Sequence, residues 1–140
     1  MTPLYAQDHD YSSFNVLAVD DIPLNLLLVQ KMLSRFNFKL RTAANGQLAL
    51  DAVTQQKPDL ILLDLMMPGI DGFEVIKRLR EDPETADIQI VILSALNSNE
   101  DVIKGFNVGA NDFIMKPIIM EKLLSCVANQ LAIAKAKSGK

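Results

Sequence analysis

The chain has 140 residues, of which 49% are hydrophobic and 22% charged, as is typical of one globular domain with its own core. Its net charge of −3 argues against a nucleic-acid interface, which needs a basic surface, and against docking on anionic membranes. A single cysteine and a single histidine exclude an internal disulfide and the usual Cys/His zinc site, and this cysteine usage favours a reducing, cytoplasmic location.

The first part of the chain predicts a leader, a strand and a helix. Residues 1–13 are polar and irregular and lack the basic start and apolar run of a signal peptide, so we expect a flexible leader. Residues 15–19 form an apolar run typical of a strand buried on both faces. Residues 23–36 have helical spacing, and Pro23 suits a first helical position. The apolar stripe of this helix comprises Leu26, Val29, Leu33 and Phe36.

The rest of the chain repeats this strand–helix alternation four times. Further strands are predicted at residues 38–43, 59–64, 89–93 and 112–115. Further helices are predicted at residues 46–56, 72–81, 98–110 and 119–136. Residues 38–43 alternate polar and apolar side chains, which indicates an edge strand. The second helix is expected to turn Leu48, Ala52 and Val53 to the core, and Ser98 is a candidate cap of the fourth. This order predicts a parallel sheet with helices on both faces.

Reactive side chains stand at four of the predicted strand ends. Asp20 and Asp21 follow the first strand, Asp64 ends the third, Ser94 follows the fourth and Lys116 follows the fifth. In a sheet of order 2-1-3-4-5 these ends are neighbours and form one cleft. Taken singly, each side chain is more typical of a solvated turn, a helix cap or the surface. The hypothesis of a site therefore depends on their convergence.

The chemistry of such a cleft would favour a cation and a phosphoryl group. Two carboxylates about 4 Å apart repel by about 4 kcal/mol at an effective dielectric near 20, and a divalent cation relieves that repulsion. Oxygen ligands that leave room for water suit Mg²⁺. Asp64 is a possible nucleophile towards phosphorus. The metal, Lys116 and Ser94 could then each hold one phosphoryl oxygen.

Four motifs resemble the receiver domains of two-component response regulators: VDD at 19–21, LILLDLMMPGIDGFE at 60–74, SA at 94–95 and GANDFIMKP at 109–117. The resemblance covers about residues 14–132, which are expected to form the domain, with residues 133–140 as a frayed tail. It implies the flavodoxin-like fold with five parallel strands in the order 2-1-3-4-5.

The resemblance also implies a role for each site residue. Asp64 matches the phosphoacceptor. Asp21 matches a direct Mg²⁺ ligand, Asp20 a ligand through water, and the main-chain carbonyl of Met66 a further ligand. The remaining matches are Ser94, the hydroxyl that follows the phosphoryl group on activation; Phe113, the aromatic switch; Lys116, the phosphate-binding lysine; and Pro117, preceded by a cis peptide bond.

The expected function is a phosphorylation-gated switch. A sensor histidine kinase or a histidine phosphotransfer protein would donate the phosphoryl group. The surface formed by the fourth helix, the fifth strand and the last helix would then change and bind a downstream protein or a second copy. Beyond its own phosphorylation and dephosphorylation, the chain is not expected to be an enzyme.

Two other functions remain open at this point. One is a Mg²⁺-dependent phosphohydrolase with an aspartyl-phosphate intermediate, although such enzymes usually place a second Asp two residues after the nucleophile, where this chain has Met66. The other is an interaction module that works without phosphate. Leu96 and Met66 are both apolar at positions that set phosphoryl lifetime in the family, which suggests slow hydrolysis.

Overall fold

Five strands and five helices alternate along the chain in the computed structural model, which describes residues 9–139. The strands are β1 (Asn15–Val19), β2 (Lys39–Ala43), β3 (Leu60–Leu63), β4 (Gln89–Ser94) and β5 (Asp112–Met115). The helices are α1 (Pro23–Met32), α2 (Gly46–Gln55), α3 (Gly72–Glu81), α4 (Asn99–Val108) and α5 (Met120–Ser138). Every neighbouring pair of strands is parallel, and the order β2-β1-β3-β4-β5 confirms the predicted flavodoxin-like sheet with β2 at an edge.

Two apolar clusters cover the two faces of the sheet. Successive residues of β1 point to opposite faces, so Val16 and Ala18 belong to the cluster that contains the buried side chains of α1 and α5. Leu17 and Val19 belong to the other cluster, with the buried side chains of α2 and α3. Burial on both faces explains why the central strands are continuous apolar runs.

Side-chain caps begin three of the helices. The side chain of Ser98 accepts a hydrogen bond from the main-chain N–H of Asp101 at 3.1 Å, which confirms the predicted cap of α4. Asn45 caps α2 and Asp71 caps α3 in the same way. These caps satisfy N–H groups that have no partner within the helix.

The first two helices differ from their predictions in detail. Helix α1 ends at Met32, but Leu33 and Phe36 are buried in the turns that follow it. In α2, Val53 is buried as predicted, whereas Leu48, which was also predicted to face the core, is 48% exposed and Ala49 is buried.

Packed structure extends on both sides of residues 14–132. The main-chain N–H of Tyr11 donates to Asn37 Oδ1 at 2.6 Å, and the Tyr11 ring packs edge-on against Phe36. Residues 1–8 of the predicted leader lie outside the described residues. At the other end, α5 remains helical through residues 133–138, where a frayed tail was expected. There Lys137 Nζ donates to Gln89 Oε1 at 2.6 Å, which ties the end of the helix to β4.

Helix α5 is the longest, yet no helix among residues 9–139 is both long and apolar enough to cross a membrane. It carries the single cysteine, Cys126, which is buried and free. Burial and, to a lesser extent, the carboxylate of Asp112, 3.3 Å from the sulfur, together raise the pKa of the Cys126 thiol to about 12. A thiol with such a pKa is protonated at neutral pH and unreactive.

The buried pair of Gln89 and Gln130 joins β4 to α5 and makes a testable contribution to stability. Gln89 Nε2 donates to Gln130 Oε1, and both residues are buried. We expect Gln130→Leu to lower the free energy of unfolding by about 1–3 kcal/mol, because it leaves a buried amide donor without its acceptor. Urea denaturation would measure the change. Gln55→Leu on the exposed face of α2 is the matched control and should change stability by less than about 0.5 kcal/mol. Equal stabilities for the two variants would contradict the prediction.

Candidate functional site

The adjacent carboxyl ends of β1 and β3 place two acids side by side. Asp20 follows β1 and Asp64 follows β3, and these two strands are hydrogen-bonded neighbours. The N–H of Asp64 donates to the carbonyl of Val19 at 3.0 Å, and the N–H of Asp20 donates to the carbonyl of Ala43 at 3.2 Å. The sheet ladder therefore continues into the site and fixes the main chain beneath both carboxylates.

Asp20, Asp21 and Asp64 form a tight acidic cluster. One carboxylate oxygen from each lies within 4.8 Å of the other two. Asp20 is 6% exposed and Asp64 is 5% exposed, whereas Asp21 lies at the solvent rim. Burial raises the pKa of Asp64; the Lys116 ammonium opposes that rise, and the charge of Asp20 adds to it.

Lys116 supplies positive charge to the cluster from β5. Its Nζ donates to Asp20 Oδ2 at 2.9 Å and lies 3.8 Å from Asp64 Oδ2. The main chain that carries it is held by a hydrogen bond from its N–H to the carbonyl of Ser94 at 2.8 Å. The next peptide bond, Lys116–Pro117, is cis, as the resemblance implied. The ammonium group thus contacts two of the three carboxylates of the cluster.

Ser94 ends β4 and is fully buried. Its hydroxyl oxygen accepts a hydrogen bond from the N–H of Leu96 at 3.1 Å. Ser94 pairs with Met115 in the sheet, so it lies beside the strand end that carries Lys116. The hydroxyl belongs to the same edge of the sheet as the acidic cluster.

Phe113 and Met66, the two other residues that the resemblance singled out, differ in their surroundings. Phe113 is in β5, half-buried, and its ring approaches α4 at Gly105. The side chain of Met66 is 57% exposed, and its main-chain N–H donates to Asp64 Oδ1 at 3.3 Å. The main chain of Met66 is therefore next to the Asp64 carboxylate, while its side chain is available to solvent or a partner.

The donor set of the cluster fits a hard divalent cation. Three carboxylates offer oxygen atoms within 4.8 Å of one another, and the open position of Asp21 leaves room for water. Lys116 is a hydrogen-bond donor and cannot coordinate a metal. Oxygen donors with access to water are the ligands that Mg²⁺ and Mn²⁺ prefer.

Comparison with known proteins identifies the family of the chain. The family described as the response regulator receiver domain matches residues 16–128. The chain belongs to this family. Response regulator PleD of Caulobacter vibrioides is 43% identical to the receiver domain described here over 106 residues, which cover 76% of the chain and 23% of PleD. The receiver domain thus spans less than a quarter of that relative.

Solved structures place the fold in the same family. The chemotaxis protein CheY4 of Vibrio cholerae is 32% identical with a TM-score of 0.77, and the match covers 83% of this chain and 97% of that one. The Mn²⁺-bound form of response regulator Rcp1 is 28% identical with a TM-score of 0.72, and covers 83% of this chain and 90% of that one. The metal is a property of that Rcp1 structure.

The predicted convergence of the three acids and Lys116 is found in the structure, but the main-chain groups that hold such side chains were not predicted. Asp20 Oδ1 accepts a hydrogen bond from the N–H of Ile22 at 2.9 Å. In the same way, the hydroxyl oxygen of Ser94 accepts a hydrogen bond from the N–H of Leu96. Because every residue except proline carries an N–H group, no sequence signal marks these donors.

Proposed function

We propose that this receiver domain accepts a phosphoryl group on Asp64 from a phosphohistidine, carried by a sensor histidine kinase or a histidine phosphotransfer protein. The observation that supports this most is the convergence of Asp64 with two further carboxylates and Lys116. Phosphoryl transfer depends mainly on positioning and on neutralising the charge of the phosphoryl oxygens. The cluster combines a carboxylate nucleophile, a set of cation ligands and an ammonium group.

The proposed division of labour follows from the contacts of each acid. Asp20 already accepts hydrogen bonds from Lys116 and Ile22, which favours a water-mediated role towards Mg²⁺. Asp21 lies at the rim and is the proposed direct ligand, together with Asp64 and the main-chain carbonyl of Met66. When bound, Mg²⁺ would supply a counter-charge for the phosphoryl oxygens.

The response to phosphorylation would begin at Ser94 and Lys116. Lys116 Nζ is close enough to Asp64 to contact a group attached to it. The Ser94 hydroxyl would turn from the N–H of Leu96 towards a phosphoryl oxygen, which would free the loop before α4. Phe113, which lies under α4, would repack in consequence. Phenylalanine has no hydroxyl, so its readout must be packing.

The surface has exposed apolar side chains at the two places where partners are proposed to bind: beside the site, for the phosphohistidine donor, and on the output surface, for a downstream protein or a second copy. Beside Asp20, a cleft of about 320 Å³ lies between α1 and the segment after β5, and Ile22 and Leu24 are exposed nearby. This cleft and the exposed side chains beside it support the proposal that a phosphohistidine protein docks over the site.

The proposed output surface of α4, β5 and α5 also exposes large apolar side chains, namely Ile103, Phe106, Met115, Ile119 and Met120.

The direct test is phosphorylation by a small donor. The purified receiver domain would be incubated with acetyl phosphate and Mg²⁺, and intact-mass and peptide spectra would locate the modification. One phosphoryl group on Asp64, which forms with Mg²⁺ present and does not form when a chelator is added before the donor, is the expected result. Modification elsewhere, or none, would contradict the proposal. Sustained turnover of p-nitrophenyl phosphate in the same preparation would favour the phosphohydrolase instead.

We also expect the aspartyl phosphate to hydrolyse slowly. Met66 and Leu96 flank the acceptor with apolar side chains that cannot orient an attacking water. The expected lifetime is minutes or longer, measured as loss of phosphate after the donor is removed. Met66→Asn, which adds an amide at the exposed position, should shorten that lifetime. Loss from the unmodified protein within seconds would refute this expectation.

A further inference from the structure

Helix α4 has a glycine at its centre, directly over the proposed switch residue. Gly105 is buried in the middle of α4. A Cβ placed there would lie 2.8 Å from Ile92 Cδ1 and 3.2 Å from Cδ2 of Phe113. The ring of Phe113 and the backbone of α4 therefore share a contact that a side chain at position 105 would disturb.

The same helix is anchored firmly at its carboxyl end. Arg80 of α3 donates from Nε to the carbonyl of Gly109 at 2.9 Å and from Nη2 to Asn111 Oδ1 at 2.9 Å. Gly109 has a φ of 122°, a conformation that favours glycine, and a Cβ there would lie 2.7 Å from Arg80 Cγ. Asn111 Oδ1 also accepts the N–H of Ile90, so the anchor reaches β4.

The amino end of α4 is held differently. Its cap is local, from Ser98 to the N–H of Asp101, and a second local bond joins the Ser98 hydroxyl to the Asp101 carboxylate at 2.7 Å. The loop that precedes this cap begins at Leu96, whose N–H is bonded to the proposed switch hydroxyl of Ser94. Movement of α4 would thus pivot about the Arg80 anchor, and Gly105 lies between the pivot and the moving end.

We infer that Gly105 is a positioning residue of the switch. Because it has no side chain, the Phe113 ring can pack directly against the backbone of α4, and this contact stabilises the arrangement in which the ring lies against the helix. This inference rests on the proposed function, in which Phe113 repacks when Asp64 is phosphorylated. A methyl group at position 105 would press on the ring and on Ile92, or would lift α4. Either effect penalises the present arrangement relative to one in which the ring has moved away.

The expected consequence of Gly105→Ala is easier activation. Because a ligand that selects the minor arrangement binds more tightly as that arrangement becomes more populated, the apparent affinity should rise. We expect the apparent Kd for beryllofluoride, a phosphoryl mimic, in the presence of Mg²⁺ to fall by about 3- to 10-fold. In the absence of metal and mimic, the ring resonances of Phe113 should already be shifted towards their beryllofluoride-bound positions.

The experiment compares Gly105→Ala with Asn107→Ala by NMR of labelled phenylalanine and by beryllofluoride titration. Asn107 is an exposed residue of α4, so its replacement also raises helix propensity but does not touch the ring. The control should therefore match the unmodified protein in both readouts. If Gly105→Ala proves too unstable, the Gly105→Ala and Ile92→Val double variant removes the closest contact and keeps the contact with Phe113.

The outcomes separate this inference from the proposed function. If the unmodified protein does not bind beryllofluoride with Mg²⁺, the proposed function fails. If it binds and the Gly105 variants show unchanged or weaker affinity, or unshifted Phe113 resonances, the positioning role of Gly105 is overturned. Tighter binding with shifted resonances, absent from Asn107→Ala, supports it.

Discussion

Asp64→Asn will lose phosphorylation from either acetyl phosphate or a phosphohistidine donor, by at least about 1,000-fold. An amide oxygen is a far weaker nucleophile than a carboxylate, and Asn fills nearly the same volume. The fold should be retained, because Asp64 is buried beside Asp20 and the substitution removes the repulsion between two neighbouring negative charges. Intact-mass spectrometry would measure incorporation, and circular dichroism would confirm folding.

The control for this prediction is Asp51→Asn on the exposed side of α2. Asp51 accepts a hydrogen bond from Gln47 at 3.0 Å and is remote from the carboxyl edge of the sheet, so this variant should be phosphorylated normally. If Asp64→Asn still carried a Mg²⁺-dependent phosphoryl group, the acceptor would have to be another residue, and the assignment of Asp64 would be wrong.

Asp21→Ala will lose Mg²⁺-dependent phosphorylation while keeping its fold. Asp21 is at the rim of the cluster, so truncation removes a proposed metal ligand without opening a cavity. Because the remaining acids are tied to Lys116 or buried, we expect Mg²⁺ affinity to fall on the order of 100-fold. Isothermal titration with Mg²⁺ and the rate of labelling at fixed Mg²⁺ would measure the two effects.

A carboxylate outside the cluster provides the comparison for Asp21. Glu81→Ala removes an exposed acid at the end of α3 and should leave metal affinity and labelling unchanged. Unaltered labelling of Asp21→Ala would refute its role as a direct ligand. It would leave Asp20 and Asp64 as the carboxylates on which metal binding depends.

The strands and the location of the site could be predicted because parallel strands are buried on both faces. Residues 15–19 and 112–115 were predicted as strands and are the bounds of β1 and β5 in the structure. Once the strand order is fixed, the carboxyl ends of the strands must meet at one edge. The convergence of Asp20, Asp64 and Lys116 follows from that rule.

The side of a helix that faces the core is harder to predict from its own sequence than the position of a buried strand. Leu48 was predicted to face the core, yet the sheet and α3 accept the smaller residues Gly46 and Ala49 on that side of α2. Burial also continues past the end of a helix, as Leu33 and Phe36 show after α1. Hydrophobic spacing identifies a helix, whereas the space available against its neighbours decides which side turns inward.

Polar side chains that organise distant segments were not predicted. Arg80 donates to carbonyl groups of Ala86, Ile88 and Gly109, which come from two separate connections. A long basic residue near the end of a helix is normally solvated, and its acceptors are main-chain atoms present at every position. Only the three-dimensional arrangement distinguishes such an anchor from a surface residue.

The ion pair between Asp20 and Lys116 joins residues 96 positions apart. Chains are synthesised from the amino end, so the acidic cluster exists as sequence long before the lysine leaves the ribosome. Until β5 has docked beside β4, the three acids lack the counter-charge that the finished domain provides. A nascent or truncated chain that ends before β5 would therefore carry the proposed acceptor, Asp64, without Lys116, and the proposed phosphorylation would need a completed domain.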